Sequence, residues 1–337
     1  MTDPYPFRTR PYLRTKVWGG RKIPEQFGKQ TDDDGPIGEA WEVSDLQEGQ
    51  SYIENGPMAG RPLSEIVDAW GSDLVGTESP LEAFPLLVKL LDADDDLSVQ
   101  VHPSEEDVRT TFPEADSKDE CWVILGVEEG GSILHGFKEG VTAEEFRRAV
   151  DDDRAAELLR RVEVEPGQIV RVVPGTIHAI CTGVSLLEIQ QPSDTTYRVY
   201  DYNRPGLDGQ PRELHLDEAM QVANFDDQPP TSLDGESLAF EGGRLDLLVD
   251  VPPSYRIERL RADKPVGWSV DPASCQVLFA LEGGFELGAP NLQEPLLIGE
   301  SQTAIVPAVS ERVEIRPTDG PVEIIVSGVG GVPLVGG

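Results

Sequence analysis

Short apolar runs of six to eight residues recur along the chain: FPLLVKLL (84–91), LSVQVH (97–102), CWVILGV (121–127), SILHGF (132–137), QIVRVV (168–173), VSLLEIQ (184–190) and TYRVYDY (196–202). They are rich in β-branched and aromatic residues and are separated by Gly, Pro and Asp. This pattern predicts the strands of a sandwich or barrel rather than parallel βαβ units. Helical spacing interrupts them in a few places. Thr142 with Glu145 three residues on is a capping box, and the pattern continues through EEFRRAV and AAELLRR to about Arg161. Shorter helices are expected after Pro62 (LSEIVDAW), after Pro103 (SEEDVRTTF) and from near Asp217.

After Asn203 the chain turns Pro- and Asp-rich, through DDQPPTSLDGES (226–237), and then strand-like runs resume in YRIERLRA, CQVLFALEGGFEL, TAIVPAVS and VEIIVSGV. The expected organisation is a mainly β domain over 1–225 with a helical insert around 141–163, a linker or loop over 226–237, and a C-terminal β domain over 238–337.

Composition narrows the function classes. A chain of 337 residues with 38% hydrophobic content supports an ordinary buried core. No apolar stretch approaches membrane-spanning length, and MTDPYPFRTRPYLR has no apolar core of a signal peptide, so a soluble cytoplasmic protein is expected. Cys121, Cys181 and Cys275 are widely spaced without a CxxC pair, which predicts buried apolar thiols, not a disulfide or a cysteine zinc site. The net charge of −34 argues against nucleic acid or an anionic membrane as partner. Seven lysines against 21 arginines, with acidic runs at 32–34, 94–96 and 151–153, suggest adaptation to salt.

Candidate chemistry begins at LSVQVHPSEED (97–107). In a strand of period two, Ser98, Gln100 and His102 share one face, and Val99 and Val101 the other. Gln100 and His102 are then spaced as adjacent metal ligands, although a lone inward histidine also reads as a hydrogen-bonded core residue.

A second segment, PGQIVRVVPGTIHAI (166–180), places Gly167, Pro174, Gly175 and His178 in a turn, strand, turn and histidine order. It resembles the second motif of the cupin superfamily, with PG in place of PxG. That resemblance implies a double-stranded β-sandwich, or jelly roll, in which His178 completes a metal site begun by the Gln100–His102 pair. Glu120, opening a strand in SKDECWVILG, is the candidate carboxylate. Two imidazoles, one carboxylate and one amide oxygen suit Zn²⁺. The last histidine is His215, so the C-terminal cupin-like unit carries no histidine metal site.

Taken in order, FPLLVKLLDADDDLSVQVHP, SKDECWVIL, VPGTIHAI and LLEIQQPSDTTYRVYDYNR resemble the shorter bacterial form of type I mannose-6-phosphate isomerase. The likeness extends to VWGG (17–20), IGEAWEVSD (37–45) and RELHLDEAM (212–220), and spans roughly 10 to 225. The resemblance implies interconversion of mannose 6-phosphate and fructose 6-phosphate, with one zinc per chain on Gln100, His102, Glu120 and His178. It also implies functional positions at Lys89, Ser98, Lys118, Glu188 and Arg198. The expected partner is a small sugar phosphate, with the chain a monomer or weak homodimer.

Aldose–ketose isomerisation needs an electrophile, a base and a cation for the developing oxyanion. Arg198 suits either the enediolate or the phosphate. Glu188, an acid on a largely apolar strand, is expected to have a raised pKa fit for proton transfer, or to form a structural ion pair. Lys118 is the third catalytic candidate. Lys89, Lys118 and Ser98 are candidates for phosphate, since no GxxxxGK[ST] loop is present. His135, His215 and the tryptophans Trp18, Trp41 and Trp122 read as structural. Two other readings remain open: an iron cupin oxygenase, and a sugar-binding cupin without activity.

Overall fold

A computed structural model describes residues 2–79, 83–226 and 236–335. The mainly β architecture is as expected, and the described residues form four antiparallel sheets of eight, six, five and four strands. Most of the expected 226–237 linker, residues 227–235, lies outside the described residues.

By contacts the chain groups into two compact units. The first comprises Met1–Tyr12, Trp41–Val88 and Asp234–Gly337, and the second Leu13–Ala40 and Lys89–Leu233. Two early segments therefore group with the C-terminal strands and not with the rest of 1–225. The cause is strand pairing: Phe7 stands opposite Ile305 and Thr9 opposite Ile53, so Phe7–Arg10 and Tyr52–Ile53 extend the eight-stranded sheet of the first unit. That sheet and the four-stranded one enclose a core including Leu278, Phe285, Ile315 and Ile324.

The second unit contains the candidate residues. Its strands are β1 (Tyr12–Gly20), β2 (Ile37–Val43), β3 (Leu87–Ala93), β4 (Val99–Val101), β5 (Glu120–Val127), β6 (Ser132–Phe137), β7 (Leu159–Glu163), β8 (Ile169–Val172), β9 (His178–Ile180), β10 (Val184–Gln190) and β11 (Tyr197–Tyr200). One end each of β1, β2 and β3 falls within the residue ranges of the first unit. One sheet runs β8-β5-β10-β3-β1-β2 and the other β11-β4-β9-β6-β7.

Period-two alternation splits the five-stranded sheet cleanly. Val99, Val101, Leu134 and Ala179 face one cluster, where Phe146 of the helix Ala143–Asp151 and Ala219 of the helix Leu216–Val222 also pack. Ile133 and Ile180 face the other, with Trp18, Trp122, Val170 and Leu186 of the six-stranded sheet. The three cysteines are buried and free, as their spacing implied.

One element departs from expectation. The Thr142 capping box forms, with Glu145 Oε2 accepting the Thr142 N–H at 3.0 Å. The helix nevertheless stops at Asp151, well short of Arg161. Asp151, Asp152 and Asp153 crowd negative charge at the negative end of the helix dipole, and Asp153 adopts a left-handed φ of 59°. Leu159–Glu163 then forms β7, whose Val162 pairs with Ile133: ladder pairing and alternate burial override local helix propensity.

Candidate metal and active site

A single row crosses four strands of the five-stranded sheet. Arg198 on β11 stands opposite Gln100 on β4, Gln100 opposite His178 on β9, and His178 opposite His135 on β6. Directly opposed residues of an antiparallel ladder share a face, so the four side chains project the same way. The six-stranded sheet answers with Glu120 and Trp122 on β5, Glu188 opposite Trp122 on β10, and Lys89 on the neighbouring β3.

The turn that delivers His178 requires glycine. Gly175 has a φ of +83°, and an added Cβ would meet the Val222 carbonyl oxygen at 3.0 Å. Its N–H donates to the carbonyl of His102 at 2.9 Å, so the turn ties the second histidine motif to the first.

His102, Glu120 and His178 are buried, and their candidate ligand atoms all lie within 4.8 Å of one another. His178 Nε2 is 3.3 Å and His102 Nε2 is 3.7 Å from the Glu120 carboxylate. Each imidazole is oriented from behind: His102 Nδ1–H donates to the Thr195 carbonyl and His178 Nδ1–H to the Thr176 carbonyl, both at 2.9 Å. Both therefore turn an Nε2 lone pair toward Glu120, the arrangement found for metal-binding histidines. Gln100 Nε2 is 3.3 Å from His178 Nε2, and exchanging the two ends of its amide presents the oxygen there instead. His102 Nε2 and Glu120 Oε1 are buried without a hydrogen-bond partner. Buried polar atoms left in this state are costly, and a cation among them satisfies both.

The electrostatics agree. Burial holds His178 down at about 3, and burial with the nearby Lys118 charge holds His102 well below its usual value. Both imidazoles are thus neutral and ligand-ready at neutral pH. Burial and then the Glu188 charge push Glu120 up to about 8, against the pull of Lys118.

A second cluster adjoins the first. Lys118 Nζ lies 2.7 Å from Glu120 and 3.7 Å from Glu188, while Lys89 Nζ lies 3.4 Å from Glu188 and 3.5 Å from Asp194. Trp122 donates its indole N–H to the other Glu188 oxygen at 3.1 Å. The raised pKa expected for Glu188 does not occur. Burial does push the carboxyl up, but Lys118, Lys89 and the Trp122 N–H outweigh it and leave it below the usual value. Lys118 responds in the opposite direction: burial alone would lower it, yet Glu120 and Glu188 hold it well above its ordinary value.

Arg198 and Ser98 form a separate pair. Arg198 Nε donates to Ser98 Oγ at 3.2 Å and its Nη1 to the Glu213 carbonyl at 2.9 Å. Burial, followed by repulsion from Arg212, lowers the Arg198 pKa. Ser98 thus joins Arg198, whereas Lys89 and Lys118 join the glutamates.

All nine candidate positions fall in the second unit. His135 and His215 support them. His135 Nε2–H donates to the Arg171 carbonyl at 3.1 Å, and His215 Nδ1 accepts the Arg198 N–H at 3.3 Å. Sequence reasoning missed Asp194, which contacts Lys89 and Arg14 and is held well below the carboxylate range despite its burial. Its signal was the lone acid in QPSDTT, between two strands that each carry a candidate. Trp122, read as core, also faces the site: its ring lies edge-on to His178, with centroids 5.6 Å apart.

Comparisons with known proteins identify the family and the fold. A family model described as phosphomannose isomerase type I, catalytic domain, matches residues 7–123. The Bacillus subtilis protein described as probable mannose-6-phosphate isomerase GmuF is 40% identical over 220 residues, which cover 65% of this chain and 68% of that protein. The crystal structure of mannose 6-phosphate isomerase from Bacillus subtilis is similar with a TM-score of 0.86 at 29% identity, covering 96% of this chain and 99% of that one. A zinc-bound mannose 6-phosphate isomerase, 16% identical and covering 98% of this chain and 100% of its own, shares the fold with a TM-score of 0.76. The chain belongs to the type I mannose-6-phosphate isomerase, or phosphomannose isomerase, family.

Proposed function

We propose that the chain is a zinc-dependent aldose–ketose isomerase that interconverts mannose 6-phosphate and fructose 6-phosphate through an enediol. The observation that carries this reading is the buried His102–Glu120–His178 cluster, with both imidazoles fixed by backbone carbonyls and two polar atoms orphaned among them. His102, His178, Glu120 and the Gln100 amide oxygen would hold the ion, a donor set of the right hardness for zinc. Bound zinc would supply Lewis acidity toward the sugar oxygens.

The remaining work falls to the chain's own residues. Glu188, ionised at neutral pH by its two lysines, would accept the proton from the carbon beside the carbonyl and return it to the neighbouring carbon. The Lys118 ammonium, kept charged by Glu120 and Glu188, would balance negative charge on the sugar oxygens as it develops. Arg198, a permanent cation oriented by Ser98 and the Glu213 carbonyl, would face the enediolate from the opposite sheet. Lys89 and Ser98 would bind substrate, at the glutamate and arginine ends respectively. The enclosing strands exclude water, which strengthens each of these interactions.

A doubly charged sugar phosphate does not cross a bilayer unaided, so the activity belongs in the cytoplasm. Every proposed residue comes from one unit of one chain, so a monomer or weak homodimer suffices.

The test is a coupled assay of the purified protein on mannose 6-phosphate, with and without chelator. Fructose 6-phosphate formation that stops with chelator and returns with zinc supports the reading. Inertness with zinc restored refutes it.

A further inference from the structure

We propose that Asp119 and Arg171 form a positioning pair that fixes Lys118 and Glu120 in the site, acting from the far face of the strand. The inference rests on the metal reading above.

Asp119 lies between two candidate residues in sequence, just before β5, and its side chain meets Arg171, which stands opposite Cys121, the neighbour of Glu120 whose side chain takes the other face of that strand. It is only 6% exposed. Arg171 on β8 grips its carboxylate with two parallel bonds, Nε to Oδ1 at 3.2 Å and Nη2 to Oδ2 at 2.6 Å. The backbone of Asp119 is held as well: its N–H donates to Gln191 Oε1 at 2.9 Å, and its carbonyl accepts the Gln191 N–H at 3.2 Å. One residue earlier, the Lys118 N–H donates to the Pro103 carbonyl at 3.2 Å, next to His102. The corner that opens β5 is thereby clamped from three segments.

Arg171 reaches the site by a second route. β8 is the edge strand of its sheet, so the Arg171 carbonyl is available outside the ladder, and it accepts the Nε2–H of His135 at 3.1 Å. His135 stands opposite His178. One residue therefore touches both the carboxylate side of the cluster, through Asp119, and the histidine side, through His135.

The clamp has work to do. Glu120 and Glu188 both lie within ion-pair distance of Lys118, and Glu120 Oε1 has no hydrogen bond of its own. Lys118, whose ammonium pairs with both carboxylates, starts in the same corner as Glu120. A bidentate guanidinium–carboxylate pair with one partner buried supplies the rigidity that an exposed ion pair lacks. Groups that orient metal ligands typically change affinity by about 10–100-fold when removed.

The test compares wild type with Asp119→Asn, Arg171→Gln, the double variant and Arg171→Lys. Zinc affinity is read by chelator competition, folding by circular dichroism and melting of the zinc-free protein, and kcat and KM are measured at saturating zinc. The expected result is a loss of zinc affinity of about tenfold or more in each single variant, with the double variant no worse than the weaker single. Arg171→Lys, which restores charge without the fork, should recover only part of the loss, and kcat should fall while KM stays within about twofold.

Single variants within twofold of wild type, or losses that multiply in the double variant, overturn the pair. If Arg171→Gln does not fold, a folded Asp119→Asn of normal zinc affinity overturns it equally. A wild type that binds no zinc instead defeats the metal reading, and the pair's role with it.

Discussion

Trp122 and Glu188 stand opposite each other across β5 and β10, and the indole N–H donates to the carboxylate at 3.1 Å. Glu188 therefore has a lysine side and an indole side, which leaves its carboxylate little freedom to rotate. Trp122→Phe keeps a ring against His178 and removes the donor. A hydrogen bond to a charged group contributes about 1.5–3 kcal/mol. If the bond orients the proton acceptor, kcat/KM should fall about 10–100-fold with zinc content unchanged. Wild-type kinetics in this variant would mean that the bond serves packing alone.

Arg198 makes its contacts in a different part of the site, with Ser98 and the Glu213 carbonyl, and it contacts none of the proposed zinc ligands by hydrogen bond. Arg198→Ala should therefore retain zinc while turnover falls by about a hundredfold or more, the scale of a lost oxyanion donor. Arg198→Lys should rescue little, since an ammonium cannot reproduce the two-directional fork. Ser98→Ala should cost about tenfold or less, because Glu213 still anchors the guanidinium. Metal analysis alongside steady-state kinetics separates these outcomes, and loss of zinc from Arg198→Ala would place this residue in the metal site instead.

The strands were legible because they depend on local periodicity, whereas the metal cluster was read from the family resemblance, periodicity giving only the shared face of Ser98, Gln100 and His102. Gln100 and His102 are two residues apart and His178 follows a glycine turn, but only the ladder register, with His178 opposite Gln100, brings the two motifs onto one face. What was not legible depends on residues that meet only in three dimensions. Nothing in VSLLEIQ says that Lys89 and Lys118 converge on Glu188, and that convergence reverses the expected direction of its pKa. Nor does SILHGF say that His135 falls in register with His178. The helix end at Asp151 escapes for the opposite reason: helix formers continue past it, but β7 gains more by pairing with β6. Sequence order groups strand Phe7–Arg10 with its neighbours in the first 225 residues, whereas its partner, Thr303–Val306, lies near the other end of the chain.

Burial of the histidines sets a pH dependence whose sign can be worked out. His178 is held at about 3, His135 at about 4 and His102 well below 6.5, each chiefly by burial. Above about 6.5 these groups are neutral in both folded and unfolded chains and contribute no difference. Below it the unfolded chain takes up protons that the folded one refuses, so stability falls by roughly 1.4 kcal/mol per pH unit for each histidine. Glu120, raised to about 8, works in the opposite sense between about 8 and 4.5, because the folded state retains its proton. The three histidines together outweigh it, so a net loss toward acid should remain. Chelator-treated protein in molar KCl should melt progressively lower from pH 7 to 5.5, and His135→Gln should flatten the slope. A slope that is absent, or that rises toward acid, would show that these imidazoles titrate freely.

The acidic surface makes a separate prediction, and there the sign is the informative part. Asp32, Asp33 and Asp34 are exposed, as are Asp151, Asp152 and Asp153, in a chain of net charge −34. Added salt does two opposite things to such a molecule. It weakens surface ion pairs such as Arg147–Asp217 and Arg61–Glu65, each contributing on the order of 1 kcal/mol or less. It also screens the repulsion among all the uncompensated carboxylates, shortening the Debye length from about 30 Å at 0.01 M to about 3 Å at 1 M. With 62 acidic against 28 basic side chains, repulsion outweighs the pairing. The melting temperature of the metal-loaded protein should therefore rise by several degrees between 0.01 M and 1 M KCl, with most of the gain below the concentration at which screening saturates. Replacing Asp32 and Asp151 by lysine should raise the low-salt value and shrink the response. Equal melting at both ends of the range would mean that local pairing already balances the surface, whereas a fall with salt would mean that the ion pairs hold the molecule together more strongly than its like charges push it apart.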